Sequence, residues 1–204
     1  MNQDPVNFKT EVRNLLATRR RQTIDELGPD DHRPDLICAA VLIPLLYKQG
    51  QWHVAVTQRT QNVEHHKGQI SFPGGACEPG DANLQATALR ETWEEIGVPP
   101  QAVEVLGALD DFVTISHFVV TPFVGVISEA ASFPHPFAYR LNRNEVEGVV
   151  EVPLSFLLDK SKLRVEHREH EGRLFEVLFW DFGPYTIWGA TARMMQNLLD
   201  LFST

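Results

Sequence analysis

Residues Gly68–Val98, with the sequence GQISFPGGACEPGDANLQATALRETWEEIGV, carry the most informative pattern in the chain. The adjacent glycines Gly74 and Gly75 permit close backbone approach and backbone angles that other residues avoid. Asp81 is a candidate N-cap for a helix beginning at the next residue, because a side-chain carboxylate can accept hydrogen bonds from the first helical turn. Gly97 is typical of a helix C-terminus, and the two prolines after it prevent continuation. The pattern therefore predicts a strand and a glycine turn followed by a helix.

Three glutamates near the end of the predicted helix, Glu91, Glu94 and Glu95, reach toward one side because they are three and four residues apart. Like charges at this spacing repel each other, and Arg90 can neutralise only one or two of them. A divalent cation is a natural partner, since Mg²⁺ takes hard oxygen ligands and shares its other positions with water and phosphates. A solvated acidic helix face is the alternative. The glycine turn just ahead of the glutamates favours a metal site.

The rest of the chain alternates between apolar runs and turns. Such runs predict strands at 37–47, 53–58, 103–109, 118–127, 163–167 and 174–181. Helical spacing of apolar residues predicts an N-terminal helix around Phe8 and Leu16 and a C-terminal helix around Met195 and Phe202. Many strands and few helices in mixed order indicate an α+β fold or a three-layer sandwich. We expect residues 1–34 to form a basic helix and linker that pack on a main domain of residues 35–204.

The charge of the chain disfavours general binding to nucleic acid. The 204 residues have a formal net charge of −9, and nucleic-acid-binding proteins are usually basic. Residues 1–24 contain five Lys/Arg and two Asp/Glu and have a net charge of +3, whereas the other 180 residues have a net charge of −12. Arg19, Arg20 and Arg21 suit the negative pole of a helix. We expect them to be solvated, with contact to an anionic ligand as the alternative.

Cys38 and Cys77 are too few for a disulfide scaffold and fit a reducing cytosol. The count leaves open a single bond between them. We expect Cys77 to be a free, small side chain rather than a nucleophile, because the sequence places no base beside it. No apolar run approaches the roughly 20 residues that span a bilayer, and the first residues lack the basic and apolar regions of a signal peptide. We therefore expect a cytoplasmic protein whose partner is a small molecule rather than a membrane or nucleic acid. The sequence leaves the oligomeric state open.

Residues 75–98 resemble the Nudix box, G-x5-E-x7-R-E-U-x-E-E-x-G-U, in which U is aliphatic. Residues 90–98 match at the arginine, at the three glutamates after it and at the glycine, whereas Thr92 replaces an aliphatic residue. Asp81 stands at the first glutamate of the box, with eight residues rather than seven before Arg90. The resemblance implies an α/β/α sandwich with a mixed central β-sheet between helices. It also implies metal-dependent hydrolysis of the pyrophosphate in a nucleoside diphosphate derivative.

Residues 55–75 resemble a second motif, L-L-T-x-R-[SA]-x3-R-x3-G-x3-F-P-G-G, of the Nudix enzymes that hydrolyse coenzyme A. Thr57, Arg59, Gly68 and residues 72–75 are in register with it. Alanine and valine replace the two leucines, Thr60 replaces the small residue, and Glu64 replaces the second arginine. Members of this subgroup often have Asp at the position of Asp81 with the longer spacer.

The two resemblances imply a coenzyme A diphosphatase that produces phosphopantetheine and adenosine 3′,5′-bisphosphate. Glu64 places an anion where the subgroup has a cation, which favours an alternative, a Nudix hydrolase of ADP-ribose, NADH or a dinucleotide. A non-catalytic nucleotide-binding regulator on the same fold is a third possibility, since a fold does not determine a function. The crowded glutamates argue against that regulator.

The resemblance also implies roles for individual residues. Mg²⁺ or Mn²⁺ is expected to bind Glu91, Glu95, Glu94 and the carbonyl of Gly75. Arg90 is expected to orient the glutamates through charge-assisted hydrogen bonds. The general base is expected to be Glu94, or a carboxylate of a later loop, Glu145 or Glu147. The candidates for substrate binding are Arg59, Lys67, Phe72 and Gly74, with a surface role as the alternative for Arg59 and Lys67.

Overall fold

The helices and strands of the chain follow the apolar patterns of its sequence. The computed structural model describes residues 4–24, 36–60, 68–128, 138–170 and 172–203. The helices are α1 (Pro5–Thr18), α2 (Leu84–Ile96), α3 (Leu154–Leu158) and α4 (Gly189–Asp200). The strands are β1 (Ile37–Lys48), β2 (Gln51–Arg59), β3 (Ile70–Ser71), β4 (Gly74–Ala76), β5 (Val103–Ala108), β6 (Phe112–Val113), β7 (Phe118–Ile127), β8 (Val146–Pro153), β9 (Leu163–His170), β10 (Arg173–Phe182) and β11 (Tyr185–Trp188). Within these ranges, no helix combines the length and the apolar character that a membrane span requires.

A mixed β-sheet forms the centre of the fold. Its strands follow the order β3-β2-β1-β7-β5, with β8 paired to β2, β4 to β1 and β6 to β7. Strands β1 and β7 are parallel, from Ile37 opposite Phe118 to Leu45 opposite Val126. The other pairs of this sheet are antiparallel. Strands β9, β10 and β11 form a second, antiparallel sheet.

Alternate residues of β1 face two different helical layers, because successive side chains of a strand point to opposite faces. Ala40 and Leu42 pack with Ala88 of α2 on one face. Ile43 belongs to the larger core on the other face, which includes residues of α1, α4 and the second sheet: Phe8, Val12, Trp180, Met195 and Leu198. The central sheet therefore lies between α2 and the layer of α1 and α4. The predicted α+β class, with an α/β/α sandwich, is confirmed.

Helix α1 and the residues after it are attached to the rest of the chain by apolar contacts and ion pairs. Phe8 is fully buried, and its ring stacks at 4.5 Å on an indole of β2. Beyond the helix, Arg19 forms an ion pair with Asp110, and Arg21 forms one with Asp111. The expectation that these two arginines are solvated is therefore wrong, because carboxylates of the same chain neutralise them.

Candidate active site

Gly74 and Gly75 place the short strand β4 in contact with both the central sheet and α2. Gly75 lies opposite Ala40 in the antiparallel pairing of β4 with β1. A Cβ atom on Gly74, whose φ is 155°, would lie 2.4 Å from the carbonyl oxygen of Ala40. A Cβ atom on Gly75 would lie 2.5 Å from Oε1 of Glu91. Since neither position has room for a side chain, the backbone of β4 lies directly against the Glu91 carboxylate.

Asn83, and not Asp81, is the N-cap of α2. The Asn83 side chain accepts a hydrogen bond from the backbone N–H of Ala86 at 2.9 Å. Asp81 instead accepts two hydrogen bonds from Arg90, from Nε at 2.9 Å and from Nη2 at 3.0 Å. The predicted N-cap is wrong because the helix begins at Leu84 rather than at residue 82, and Asp81 lies in the loop before it, where it forms a bidentate pair with a guanidinium. These bonds hold the pKa of Asp81 well below its usual range. The predicted end of the helix at Gly97, where φ is 72°, is confirmed.

Arg90 connects the loop before α2 to the glutamates on the helix. Its Nη1 donates to Glu91 at 2.9 Å and to Glu94 at 3.1 Å, and its Nη2 donates to the carbonyl of Ala76 at 3.1 Å. Hydrogen bonding to Asp81, followed by Glu91, raises the pKa of Arg90 above its ordinary value. Arg90 is therefore a permanent cation that holds two of the three glutamates.

The three glutamates differ in their exposure to solvent. The side chain of Glu94 is 52% exposed, that of Glu91 16% and that of Glu95 only 3%. Oε2 of Glu95 is buried without a hydrogen-bond partner, and Oε1 lies 3.9 Å from Nη1 of Arg59. Burial raises the pKa of Glu95 to about 8, against the opposing effect of Arg59. Of the three glutamates, Glu95 is therefore the most buried, and its ionised form is the one that burial destabilises most.

The glutamates do not form a ready-made metal cage. Burial raises the pKa of Glu91, and the hydrogen bonds from Arg90 oppose that rise. Among the described residues, no three His, Cys, Asp or Glu side chains converge on a single point. The reason is that Arg90 holds Glu91 and Glu94 while Glu95 faces Arg59. The oxygen donors are adjacent in space but are directed toward guanidinium groups.

A tight turn brings Glu145 to the same cluster. The negative charge of Glu145 contributes to the raised pKa of both Glu91 and Glu95, so its carboxylate lies near them. The turn is attached to α2 by a hydrogen bond of 2.9 Å from the backbone N–H of Asn142 to the carbonyl of Glu95. Glu147 is exposed. Of the two loop carboxylates considered from the sequence, the structure brings Glu145 to the glutamates.

The candidate substrate residues have different surroundings. Arg59 lies at the end of β2 and faces Glu95, as described above. Phe72 is only 3% exposed and belongs to the large core, and its assignment to substrate binding stays a prediction. Gly74 is partly exposed in β4 beside the cluster. Lys67 lies outside the described residues, as does Glu64.

A disulfide joins Cys38 of β1 to Cys77, which follows β4. The expectation of a free thiol at Cys77 is therefore wrong. The reason is the pairing of β1 with β4: the backbone N–H of Cys77 donates to the carbonyl of Cys38 at 2.9 Å, so the two cysteines face each other just beyond the last paired residues. Sequence spacing alone does not reveal this proximity, because the cysteines are 39 residues apart.

Comparisons with known proteins indicate one family. Residues 37–172 match the family model described as NUDIX domain. The uncharacterized Nudix hydrolase NudL of Enterobacter sp. (strain 638) is 39% identical over 163 residues, which cover 78% of this chain and 80% of that protein. The protein of the same name from Salmonella newport (strain SL254) is 40% identical over the same length.

Solved structures agree with this match in their fold. A C. elegans Ap4A hydrolase in a binary complex aligns with 82% of this chain and 96% of its own, with 16% identity and a TM-score of 0.52. A NUDIX hydrolase from Alicyclobacillus acidocaldarius aligns with 81% of this chain and 92% of its own, with 21% identity and a TM-score of 0.52. At these identities the similarity concerns the fold alone.

Proposed function

Because the chain belongs to the Nudix family, whose hydrolases act on nucleoside diphosphate derivatives, we propose that it is a metal-dependent coenzyme A diphosphatase. It hydrolyses the pyrophosphate of coenzyme A or a derivative and produces phosphopantetheine and adenosine 3′,5′-bisphosphate. The observation that carries this proposal is the position of Arg59. Arg59 belongs to the motif of residues 55–75, and its Nη1 lies 3.9 Å from Oε1 of Glu95, which belongs to the Nudix box on α2. The two motifs therefore meet at one site.

The residues around Gly75 fit a divalent cation. Members of the family generally use such ions. Glu95 has a buried carboxylate oxygen without a hydrogen-bond partner, and a buried charge of this kind needs a cation or a proton. Together with Glu91, Glu94 and the Gly75 carbonyl it offers the hard oxygen ligands that Mg²⁺ and Mn²⁺ prefer. When bound, the cation supplies positive charge to the phosphoryl oxygens.

The chain's own residues prepare the site for attack by water. Arg90 orients Glu91 and Glu94 through the hydrogen bonds described above. Glu145 accepts the proton of the attacking water, while the water oxygen forms a bond to one phosphorus and the bridging P–O bond breaks. Glu94 is less suited to this role, because it is half exposed and already bonded to Arg90. Arg59 would bind the pyrophosphate, and Glu95, which Arg59 faces at 3.9 Å, would be one of the residues that hold the cation.

Turnover of a substrate panel tests the proposal. Coenzyme A, ADP-ribose, NADH and diadenosine polyphosphates are incubated with Mg²⁺ or Mn²⁺, and the products are identified by mass spectrometry. We expect the highest kcat/KM for coenzyme A or its derivatives. Cleavage of ADP-ribose or a dinucleotide without cleavage of coenzyme A would contradict the proposal and support the alternative that Glu64 favours.

A matched pair of variants tests the role of Glu145. Glu145→Gln is expected to lower kcat by about 100-fold or more, as the loss of a general base does. Glu147→Gln changes an exposed carboxylate two residues away on the same segment and is expected to keep the wild-type kcat. Equal effects of the two substitutions would show that Glu145 is not the base.

A further inference from the structure

We propose that Thr60 is a positioning residue that holds Glu145 in place for proton transfer. The inference rests on the proposed function and extends it to a residue that follows β2 and belongs to neither the metal ligands nor the base. It stands on two hydrogen bonds that join Thr60 to the turn carrying Glu145. The backbone N–H of Thr60 donates to the carbonyl of Glu145 at 2.9 Å, and Oγ1 of Thr60 donates to the carbonyl of Asn144 at 2.9 Å.

These bonds replace the strand pairing at the point where it ends. Strands β2 and β8 pair regularly up to Gln58 opposite Gly148, and the register then shifts so that Arg59 lies opposite Val146. Irregularities of this kind bend a strand and occur often beside active sites. Beyond the shift, no further residue pair of the two strands continues the ladder, and Thr60 provides the contact to the next part of the chain.

The turn has a second attachment on the opposite side. The backbone N–H of Asn142 donates to the carbonyl of Glu95 at 2.9 Å, and the carbonyl of Asn142 accepts from the backbone N–H of Glu145 at 3.0 Å. The turn is thus held between α2, through Asn142, and the end of β2, through Thr60. Loss of the Thr60 hydroxyl removes the bond to the carbonyl of Asn144, while the backbone bond from Thr60 to Glu145 and the attachment to α2 remain. Glu145 then keeps its neighbours but loses one of the restraints on its position relative to Glu91 and Glu95.

The hydroxyl of Thr60 is buried and is hydrogen-bonded to a part of the chain that is distant in sequence. Thr60 is 7% exposed, and the carbonyl that its hydroxyl meets belongs to a residue 84 positions away. Thr191 offers a matched control. It is also 7% exposed, and its Oγ1 donates at 3.1 Å to the carbonyl of Ile70 in β3 rather than to the Glu145 turn. Replacement of either threonine by valine removes one buried hydroxyl and keeps the shape of the side chain.

Steady-state kinetics with coenzyme A and Mn²⁺ test the inference. Thr60→Val is expected to lower kcat by about 10- to 100-fold, since a displacement of about 1 Å at a reacting group has an effect of this size. KM and the affinity for Mn²⁺ are expected to remain unchanged, because Thr60 contacts neither ligand. Thr60→Ser keeps the hydroxyl and is expected to restore kcat. Thr191→Val is expected to keep the wild-type kcat.

A double-mutant cycle separates positioning from a general loss of structure. If Thr60 acts through Glu145, then Thr60→Val causes no further decrease of kcat in the Glu145→Gln background. Thr60→Ala, which cannot overfill the site, is measured alongside in case the valine variant folds poorly. A wild-type kcat in both hydroxyl-free variants, an equal decrease in the Glu145→Gln background, or no rescue by serine would overturn the inference.

The substrate panel distinguishes an error in the proposed function from an error in the role of Thr60. A wild-type chain that cleaves another compound of the panel but not coenzyme A contradicts the substrate, and the same variants are then measured on the compound that is cleaved. A wild-type chain that cleaves none of the panel overturns both proposals, because Glu145 would have no reaction to serve.

Discussion

Replacement of Glu95 by glutamine should stabilise the metal-free protein while it abolishes activity. Glu95 is 3% exposed, and one of its carboxylate oxygens has no hydrogen-bond partner. Burial raises its pKa to about 8, from an ordinary value of 4.5. Glutamine has nearly the same shape and no charge. Glu95→Gln therefore removes a buried ionisable group whose burial is only partly compensated by Arg59, without creating a cavity.

The size of the effect follows from the pKa and depends on pH. An acid whose pKa is raised by folding does not destabilise the protein below its unfolded pKa, and its cost grows as the pH rises toward the folded pKa. For a rise from 4.5 to about 8, Glu95 destabilises the fold by about 3 kcal/mol at pH 7, where it takes up a proton on folding, and by about 5 kcal/mol above pH 9, where it is a buried anion. These figures are upper bounds for the gain, because Arg59 loses its partner in the variant.

Thermal unfolding in the presence of a chelator measures the difference. At pH 7 the Tm of Glu95→Gln is expected to exceed that of the wild type by up to about 6–12 °C, at 2–4 °C per kcal/mol for a chain of this size. The difference should vanish near pH 4.5 and increase toward pH 8. Glu94→Gln, on the exposed side of the same helix, serves as the control and should show little change. Equal stability of wild type and Glu95→Gln across this range would refute the reasoning, and so would near-normal turnover of Glu95→Gln with Mg²⁺ or Mn²⁺.

Three other substitutions test separate parts of the site. Gly75→Ala is expected to weaken Mn²⁺ binding by about 10-fold or more in calorimetric titration, because the new methyl group displaces the Glu91 carboxylate, while the Tm changes little. Arg59→Gln should move the midpoint of Mn²⁺ binding to higher pH, since the guanidinium lowers the pKa of Glu95 and a bound proton competes with the metal. Cys77→Ser should lower the free energy of unfolding by about 4 kcal/mol in oxidising buffer and by far less with a thiol reductant present, because the disulfide closes a loop across 39 residues.

Local patterns in the sequence predict the central sheet and helix α2 well. The run at 118–127 coincides with β7, and the two runs before the box form β1 and β2 around a turn at residues 49–50. Gly97 ends α2 as predicted, since a residue with positive φ is needed there. In each case the pattern lies within about a dozen consecutive residues, so the element can be predicted without knowledge of contacts to distant residues.

The details of the site depend on contacts between distant residues, which is why the sequence misled at Asp81 and Cys77. Both assignments would have required the pairing of β1 with β4 and the position of Arg90 against the loop. The choice between Glu145 and Glu147 likewise depends on the register shift between β2 and β8, because a change of one residue in a strand reverses the direction of its side chains.

The burial of Glu95 leaves polar groups without partners at a site that holds three carboxylates and two arginines. A helix with this sequence in water would spread its glutamates into solvent at small cost. Here α2 packs on the sheet, so Glu95 is enclosed while Arg90 remains bonded to Asp81, Glu91 and Glu94. Arg59 approaches Glu95 only to 3.9 Å and leaves a buried Nε of its own without a partner. An arrangement selected for stability alone would bring these groups into direct contact or replace them with apolar side chains. The unsatisfied pair is better explained by a site whose cation and phosphate ligands complete the contacts that the chain leaves open.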